Sequence, residues 1–314
     1  MWRTLSPSPK CASLNKVSPI IVAGPTGVGK TSFAVELASQ IDGEILGADA
    51  FQIYRGLEIL SAQPTPEQLA RVPHHLIGCL DPQEACDAAR YRNMALAVLA
   101  EIAGRGKPAI IVGGSGLYVK ALTHGLDPAP PADPQLRAEL SALSLEELQA
   151  RLDAADPTAR EYLEFENPRR LIRGLEMVLL TGKSTAELRQ SWASKEAPGF
   201  RGIVLTRERT EMAARIKENV DAMFPRGVIE EVRTLGEAGP TARMAIGYRE
   251  IQALLRGEFS ELECREAMAL ATRRYAKRQL TWFRNQFTFS HIDLTGIRDI
   301  KESLPTALAV IQET

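Results

Sequence analysis

Apolar residues in the first part of the chain fall into short continuous runs separated by longer stretches of helical spacing. Pro19-Ile20-Ile21-Val22-Ala23 is an uninterrupted apolar run, the form taken by a strand buried on both faces. Phe33, Ala34, Val35, Leu37 and Ala38 follow at helical spacing and predict a helix from about Thr31 to Gln40. Further strands are predicted at 44–48 and 108–112, with a helix near 88–104 that stops at Gly104-Arg105-Gly106. Such alternation over 19–125 predicts an α/β fold, a parallel sheet with helices on both faces.

The pattern then changes. Residues 126–134 form a proline-rich linker, and 135–196 read as helices only. Ser144 and Glu147 have the spacing of a capping box before a Leu-periodic run. Asn167-Pro168 is an N-cap followed by an N1 proline, and Thr181-Gly182 is the matching stop. Between them Leu171, Ile172, Leu175, Val178 and Leu179 are predicted to supply the buried side. A second break at 197–202 leads back to strand-like Ile203-Val204-Leu205. The simplest organisation is a core of 18–126 and 201–314 interrupted by an all-helical insertion at 127–200. Residues 1–17 carry Arg3, Lys10 and Lys16, no acid and no apolar h-region, so they are read as a disordered lead-in.

Composition adds constraints. The 314 residues hold 38 basic and 39 acidic side chains, so a nucleic-acid role needs local basic faces. Cys11, Cys79, Cys86 and Cys264 lack Cys-x-x-Cys spacing and fit reduced thiols in a cytosol better than disulfides or zinc. His74, His75, His124 and His291 form no ligand spacing. No apolar run approaches the eighteen or so residues that span a membrane.

Chemistry enters at residues 24–31, which read Gly24, Pro25, Thr26, Gly27, Val28, Gly29, Lys30, Thr31. With a strand before it and a helix after it, this is a complete Walker A loop. Its backbone N–H groups and helix N-terminus cradle phosphate, Lys30 adds charge, and the Thr31 hydroxyl is placed for Mg²⁺, directly or through water. Asp49 ends the next predicted strand and is a candidate general base. It could instead cap a helix or hold Mg²⁺ through water. A hydrolysing NTPase needs a second acid after a long apolar strand, but 109–112 runs into Gly113-Gly114-Ser115-Gly116. That favours a transferase. Three basic clusters stand out: Arg169, Arg170 and Arg173; Arg243 and Arg249; and Arg273, Arg274, Lys277, Arg278 and Arg284, interleaved with Tyr275, Trp282 and Phe283. Together they suit an RNA backbone, with rings available to stack bases.

These strings resemble a known family, the tRNA dimethylallyltransferases (tRNA isopentenyltransferases), in its bacterial form. The resemblance is carried by GPTGVGKT at 24–31, DAFQIYRGL at 49–57, PHHLIG at 73–78, GGSGLYVKAL at 113–122, NPRRLIRGLEM at 167–177, AIGYRE at 245–250 and ATRRYAKRQLTWFR at 271–284. It implies transfer of a dimethylallyl group from dimethylallyl diphosphate to N6 of adenosine 37, beside the tRNA anticodon, with release of diphosphate. By position it implies Asp49 as the base and Ser115 as a hydroxyl lining the channel. It further implies tRNA contacts at Asp49, Ala50, Phe51 and Gln52, at Arg137, at Arg169, Arg170, Leu171, Ile172 and Arg173, and at Met244, Ala245, Ile246, Gly247, Tyr248 and Arg249. The insertion would contact the anticodon stem-loop. Mg²⁺ as cofactor, a cytoplasmic location and a monomeric state away from membranes also follow from it. Departures from the family pattern are Ser115 in place of Thr, Val28 in place of Ser, Gln63 in place of Lys, and Asn219 in place of a diphosphate-binding Arg. A P-loop small-molecule kinase and a non-catalytic RNA-binding protein are the alternatives.

Overall fold

The computed structural model describes residues 18–126, 130, 133–188 and 194–313. The lead-in at 1–17 and part of the proline-rich linker lie outside the described residues. The chain divides into two compact units, 1–123 with 195–314, and 124–194.

The first unit contains six strands: β1 (Ile20–Ala23), β2 (Glu44–Gly47), β3 (His74–His75), β4 (Ala109–Gly113), β5 (Arg201–Thr206) and β6 (Ser290–Asp293). They form one sheet in the order β3-β2-β4-β1-β5-β6, every pair parallel. Alternate strand residues feed different cores. Ile21, Leu46, Ile111 and Val204 belong to one apolar cluster, while Ile20, Val22, Ile45, Ile110, Ile203 and Leu205 belong to another. Both sheet faces are therefore covered, as the apolar runs require. The helices Lys30–Ile41 and Leu304–Glu313 pack on the second cluster. The first is completed by helices at Ala88–Gly104 and Gly116–His124 and by apolar residues of the long Glu261–Gln286 helix. The short edge strands β3 and β6 were not expected from the sequence. The β6 string Ser-His-Ile-Asp buries only Ile292, so its apolar signal is weak. Among the described residues no helix is long and apolar enough to cross a membrane.

The second unit is helical. Ser144 accepts from the Glu147 N–H and caps the Leu145–Ala155 helix through a full capping box. Pro168–Thr181 begins at the proline and ends on Gly182 in the left-handed region, although the Asn167 side chain makes no capping bond. Leu140, Leu148, Leu152, Phe165, Leu171 and Leu175 form its own core. Leu179, expected on the buried side, is 54% exposed. Residues 195–200, assigned from sequence to the insertion, group with the first unit, where Ala197 and Phe200 pack on its core.

Candidate functional site

The Walker A loop leaves the C-terminal end of β1 and enters the Lys30–Ile41 helix, with Gly24, Gly27 and Gly29 at φ of 149°, 83° and 107°. Lys30 Nζ donates to the Pro25 carbonyl at 2.9 Å. Burial pushes its pKa down to about 8, and the nearby Asp49 charge opposes that shift only in part. The loop is braced from outside. Arg215 Nε donates to the Gly27 carbonyl at 3.1 Å, and Arg207 Nε to the Val28 carbonyl at 3.0 Å. Arg207 is itself paired with Glu211.

Asp49 follows β2. Its Oδ1 accepts from the Phe51 N–H at 3.0 Å and the Gln52 N–H at 3.4 Å, so the carboxylate also shapes the turn that follows. Oδ2 carries no hydrogen bond among the described residues. Ser115, buried after β4, accepts from the Ala50 N–H at 2.8 Å and so ties this turn to the glycine string at 113–116.

Sequence reasoning missed the tie between that string and the basic helix. Gln279 Nε2 donates to the Gly114 carbonyl at 3.0 Å, and its Oε1 accepts from the Thr26 N–H at 2.8 Å. One buried amide thus joins the phosphate-type loop to the end of β4. A Cβ on Gly114 would stand 2.2 Å from Gln279, and one on Gly116 would stand 2.1 Å from the Trp282 ring, so both positions require glycine. Two of the most distinctive strings in the sequence are therefore packed on each other. The signal lay in the spacing: Gln279 and Phe283 fall on one buried stripe, while Arg273, Arg274, Lys277, Arg278 and Arg284 are exposed. Phe283 belongs to the core.

A cleft of about 90 Å³ opens between these groups. Thr26, Gly27, Asn219, Asp49 and Tyr275 give its polar wall; Leu60, Ile216, Val220, Met223, Ile246 and Met268 give an apolar one. Phe51 and Tyr275 meet at its rim, ring centroids 6.4 Å apart. Burial, and then the Asp49 charge, raise the Tyr275 pKa, so its hydroxyl stays protonated. The wall near Asp49 is fixed by Glu231, whose two oxygens accept from the Ile59 and Leu60 N–H groups at 2.7 and 2.8 Å. Gln63 is taken up there as well: its Nε2 donates to the carbonyls of Gln52 and Tyr54 at 3.0 and 2.8 Å. Val28 lies fully in the apolar core.

Of the expected site residues, Thr26, Gly27, Asp49, Phe51, Ala245 and Ile246 share this cleft. Gly247 and Tyr248 are buried, and Arg249 is exposed. Arg137, Arg169, Arg170, Leu171, Ile172 and Arg173 belong to the helical unit, where Leu171 is fully buried and its side chain is closed to any ligand. In chemical terms the cleft offers anion-binding backbone at one end, a carboxylate beside it and an apolar chamber alongside.

Residues 52–286 match the family model described as IPP transferase. A relative from Akkermansia muciniphila named tRNA dimethylallyltransferase is 42% identical over 267 residues, covering 85% of this chain and 90% of its own. One of the same name from Thermus thermophilus is 42% identical over 275 residues, with 85% and 89% covered. The solved structure of the full-length tRNA isopentenylpyrophosphate transferase from Bacillus halodurans superposes with a TM-score of 0.69 at 34% identity, covering 94% of this chain and 97% of that one. The expected P-loop fold and the expected resemblance meet in these matches, and the chain belongs to the IPP transferase family, with the bacterial tRNA dimethylallyltransferases.

Proposed function

We propose that the protein transfers a dimethylallyl group from dimethylallyl diphosphate to N6 of adenosine 37 of tRNA, releasing diphosphate. One observation carries this reading: the anion-binding loop and Asp49 open into the same cleft as an apolar chamber. A nucleoside kinase needs no apolar chamber beside its phosphates, and the named relatives are prenyl transferases.

The diphosphate sits on the N–H groups of Gly27, Gly29, Lys30 and Thr31 and on the Lys30 side chain, whose protonated form it stabilises. The five-carbon chain lies against Ile216, Val220, Met223 and Met268. The adenine leaves its stack to enter beside Phe51 and Tyr275, which offer ring faces. N6 forms a bond to C1 as the C1–O bond breaks; the electron pair leaves on the diphosphate, and the N6 proton passes to Asp49. An amine conjugated with a purine is a weak nucleophile, so holding it near C1 supplies much of the acceleration. Ser115 holds the Ala50 backbone and hence the turn that aims Asp49.

Among the described residues no cluster of three or more His, Cys, Asp or Glu can ligate a metal by itself. The Thr31 hydroxyl would hold Mg²⁺, directly or through water, with diphosphate oxygens completing an oxygen-rich set that suits this ion. That ion would neutralise charge on the departing diphosphate. On the RNA, Arg137, Arg169, Arg170, Arg173 and Arg249 contact the backbone of the anticodon stem-loop. The protein works as a cytoplasmic monomer.

The test is incubation with labelled dimethylallyl diphosphate and unmodified tRNA bearing adenosines at 36, 37 and 38, followed by nucleoside analysis. Labelled N6-isopentenyladenosine with no ATP requirement is expected. Steady ATP consumption with phosphorylation of a small acceptor would overturn the reading in favour of a kinase.

A further inference from the structure

Glu176 lies on the Pro168–Thr181 helix and, like Leu171 and Leu175, is buried, with none of its side chain exposed. Its Oε2 accepts from Arg137 Nη2 at 2.6 Å and from Arg173 Nη1 at 2.6 Å. Its Oε1 is buried with no hydrogen-bond partner among the described residues. Burial pushes the Glu176 pKa up, but Arg173 and Arg137 outweigh it, and the group stays ionised. Both guanidiniums reach water at their outer edges, with side chains 47% and 37% exposed. Arg173 has a second tether, Nη2 to the Pro130 carbonyl at 3.4 Å.

Stability alone does not account for this arrangement. A carboxylate taken out of water with one oxygen unpaired carries a desolvation penalty, and a whole buried triad of this kind can commonly be replaced by apolar side chains with no loss of stability. A leucine or methionine cannot do what this carboxylate does, which is to accept a charge-assisted hydrogen bond from each of two guanidiniums. An arginine fixed in one orientation loses less freedom when it meets a phosphate. The triad also keeps a net charge of +1, so it still attracts an anion.

We propose that Glu176 is a positioning residue that presents Arg137 and Arg173 as a preset pair for two phosphates of the tRNA. The proposal rests on the tRNA-modifying reading above. Its opposite has a clear signature: if Glu176 acted only as a negative charge near the RNA, removing it would tighten binding.

The test compares Glu176→Met and Glu176→Gln with wild type in prenyl transfer, at fixed salt and across a salt series. The tRNA KM is expected to rise about tenfold in both variants. The donor KM and kcat at saturating tRNA should hold even where the Tm of Glu176→Met falls because two arginines have lost their partner. In an Arg137→Ala/Arg173→Ala background, Glu176→Met should have no further effect on the tRNA KM. An unchanged or lowered tRNA KM overturns the proposal. So does a loss of Tm that lowers kcat and raises the donor KM together, because that marks a structural role. A wild-type protein that neither binds nor prenylates tRNA would instead remove the functional reading itself.

Discussion

Glu176 is wholly and Lys30 partly withdrawn from water, and the protein compensates the two charges in opposite ways. Lys30 has one carbonyl partner and a carboxylate nearby, and its pKa sits below the ordinary value at about 8. Glu176 has two guanidiniums on one oxygen, and its pKa is held below the ordinary value for a carboxylate. The first charge is under-compensated, so an anion that arrives there is strengthened by what the site lacks. The second is over-compensated, and the surplus positive charge faces outward. One site awaits its ligand to be completed, and the other is complete before its ligand arrives.

The largest break in that contrast comes from Asp49→Ala. Asp49 is the charge that supports Lys30, and it lines the cleft with only its Oδ1 hydrogen-bonded among the described residues. Losing a proton acceptor costs on the order of 10²–10⁴ in rate, so single-turnover prenyl transfer should fall by that much. Affinity for tRNA should stay within a few-fold, since the base acts mainly in the transition state. Near-normal turnover would remove Asp49 from the mechanism.

A second, smaller effect separates the two charges by pH. Lys30 is a base whose pKa is lowered, so in the free protein it loses its proton as pH rises through about 8. A diphosphate favours the charged form and draws that proton back on. The donor KM should therefore rise above pH 8, approaching about tenfold per unit, and Lys30→Arg should flatten the rise. Glu176 is an acid whose pKa is lowered, so its contribution is present above the ordinary carboxylate range and is lost only as pH falls below that range. The tRNA KM should accordingly show no titration of Glu176 between about pH 5 and 7. A donor KM that stays flat from pH 7 to 9.5 would show that Lys30 does not titrate in the free site.

The same contrast explains what could be read in the sequence. Strings that act through their own backbone, such as 24–31 and the apolar runs of β1, β2 and β4, announce themselves because local spacing fixes their form. Features made by distant partners do not. Gln279 reaches the loop from 253 residues away, and Glu231 reaches Ile59 from 172. Nothing local marks either one. Gln63 read as a lost charge, yet its amide holds two backbone carbonyls of the turn after Asp49. In the helical unit the Ser144 cap was legible, whereas the buried Glu176 was hidden among arginines that read as a plain basic face.

The smallest expected effect concerns the far side of the anion site. Asn219 lines the cleft, with Nδ2 3.9 Å from where a Cβ on Gly27 would stand. An arginine there would bring a guanidinium to an anion that the present site meets mainly with backbone groups and one depressed lysine. Such a charge-assisted contact is worth roughly 1.5–3 kcal/mol when well formed, and side-chain ordering in a half-open cleft takes part of it back. Asn219→Arg should therefore lower the donor KM by about fivefold and leave the tRNA KM unchanged. The rise in donor KM above pH 8 should also become shallower, because a permanent charge then shares the anion with Lys30. Arg215, one turn earlier, is the competing source of that charge; its Nε is engaged with the Gly27 carbonyl, which leaves its terminal nitrogens free to turn toward the loop. If Asn219→Arg leaves the donor KM where it was while Arg215→Gln raises it, Arg215 already supplies the missing charge, and the site is less under-compensated than Lys30 alone suggests.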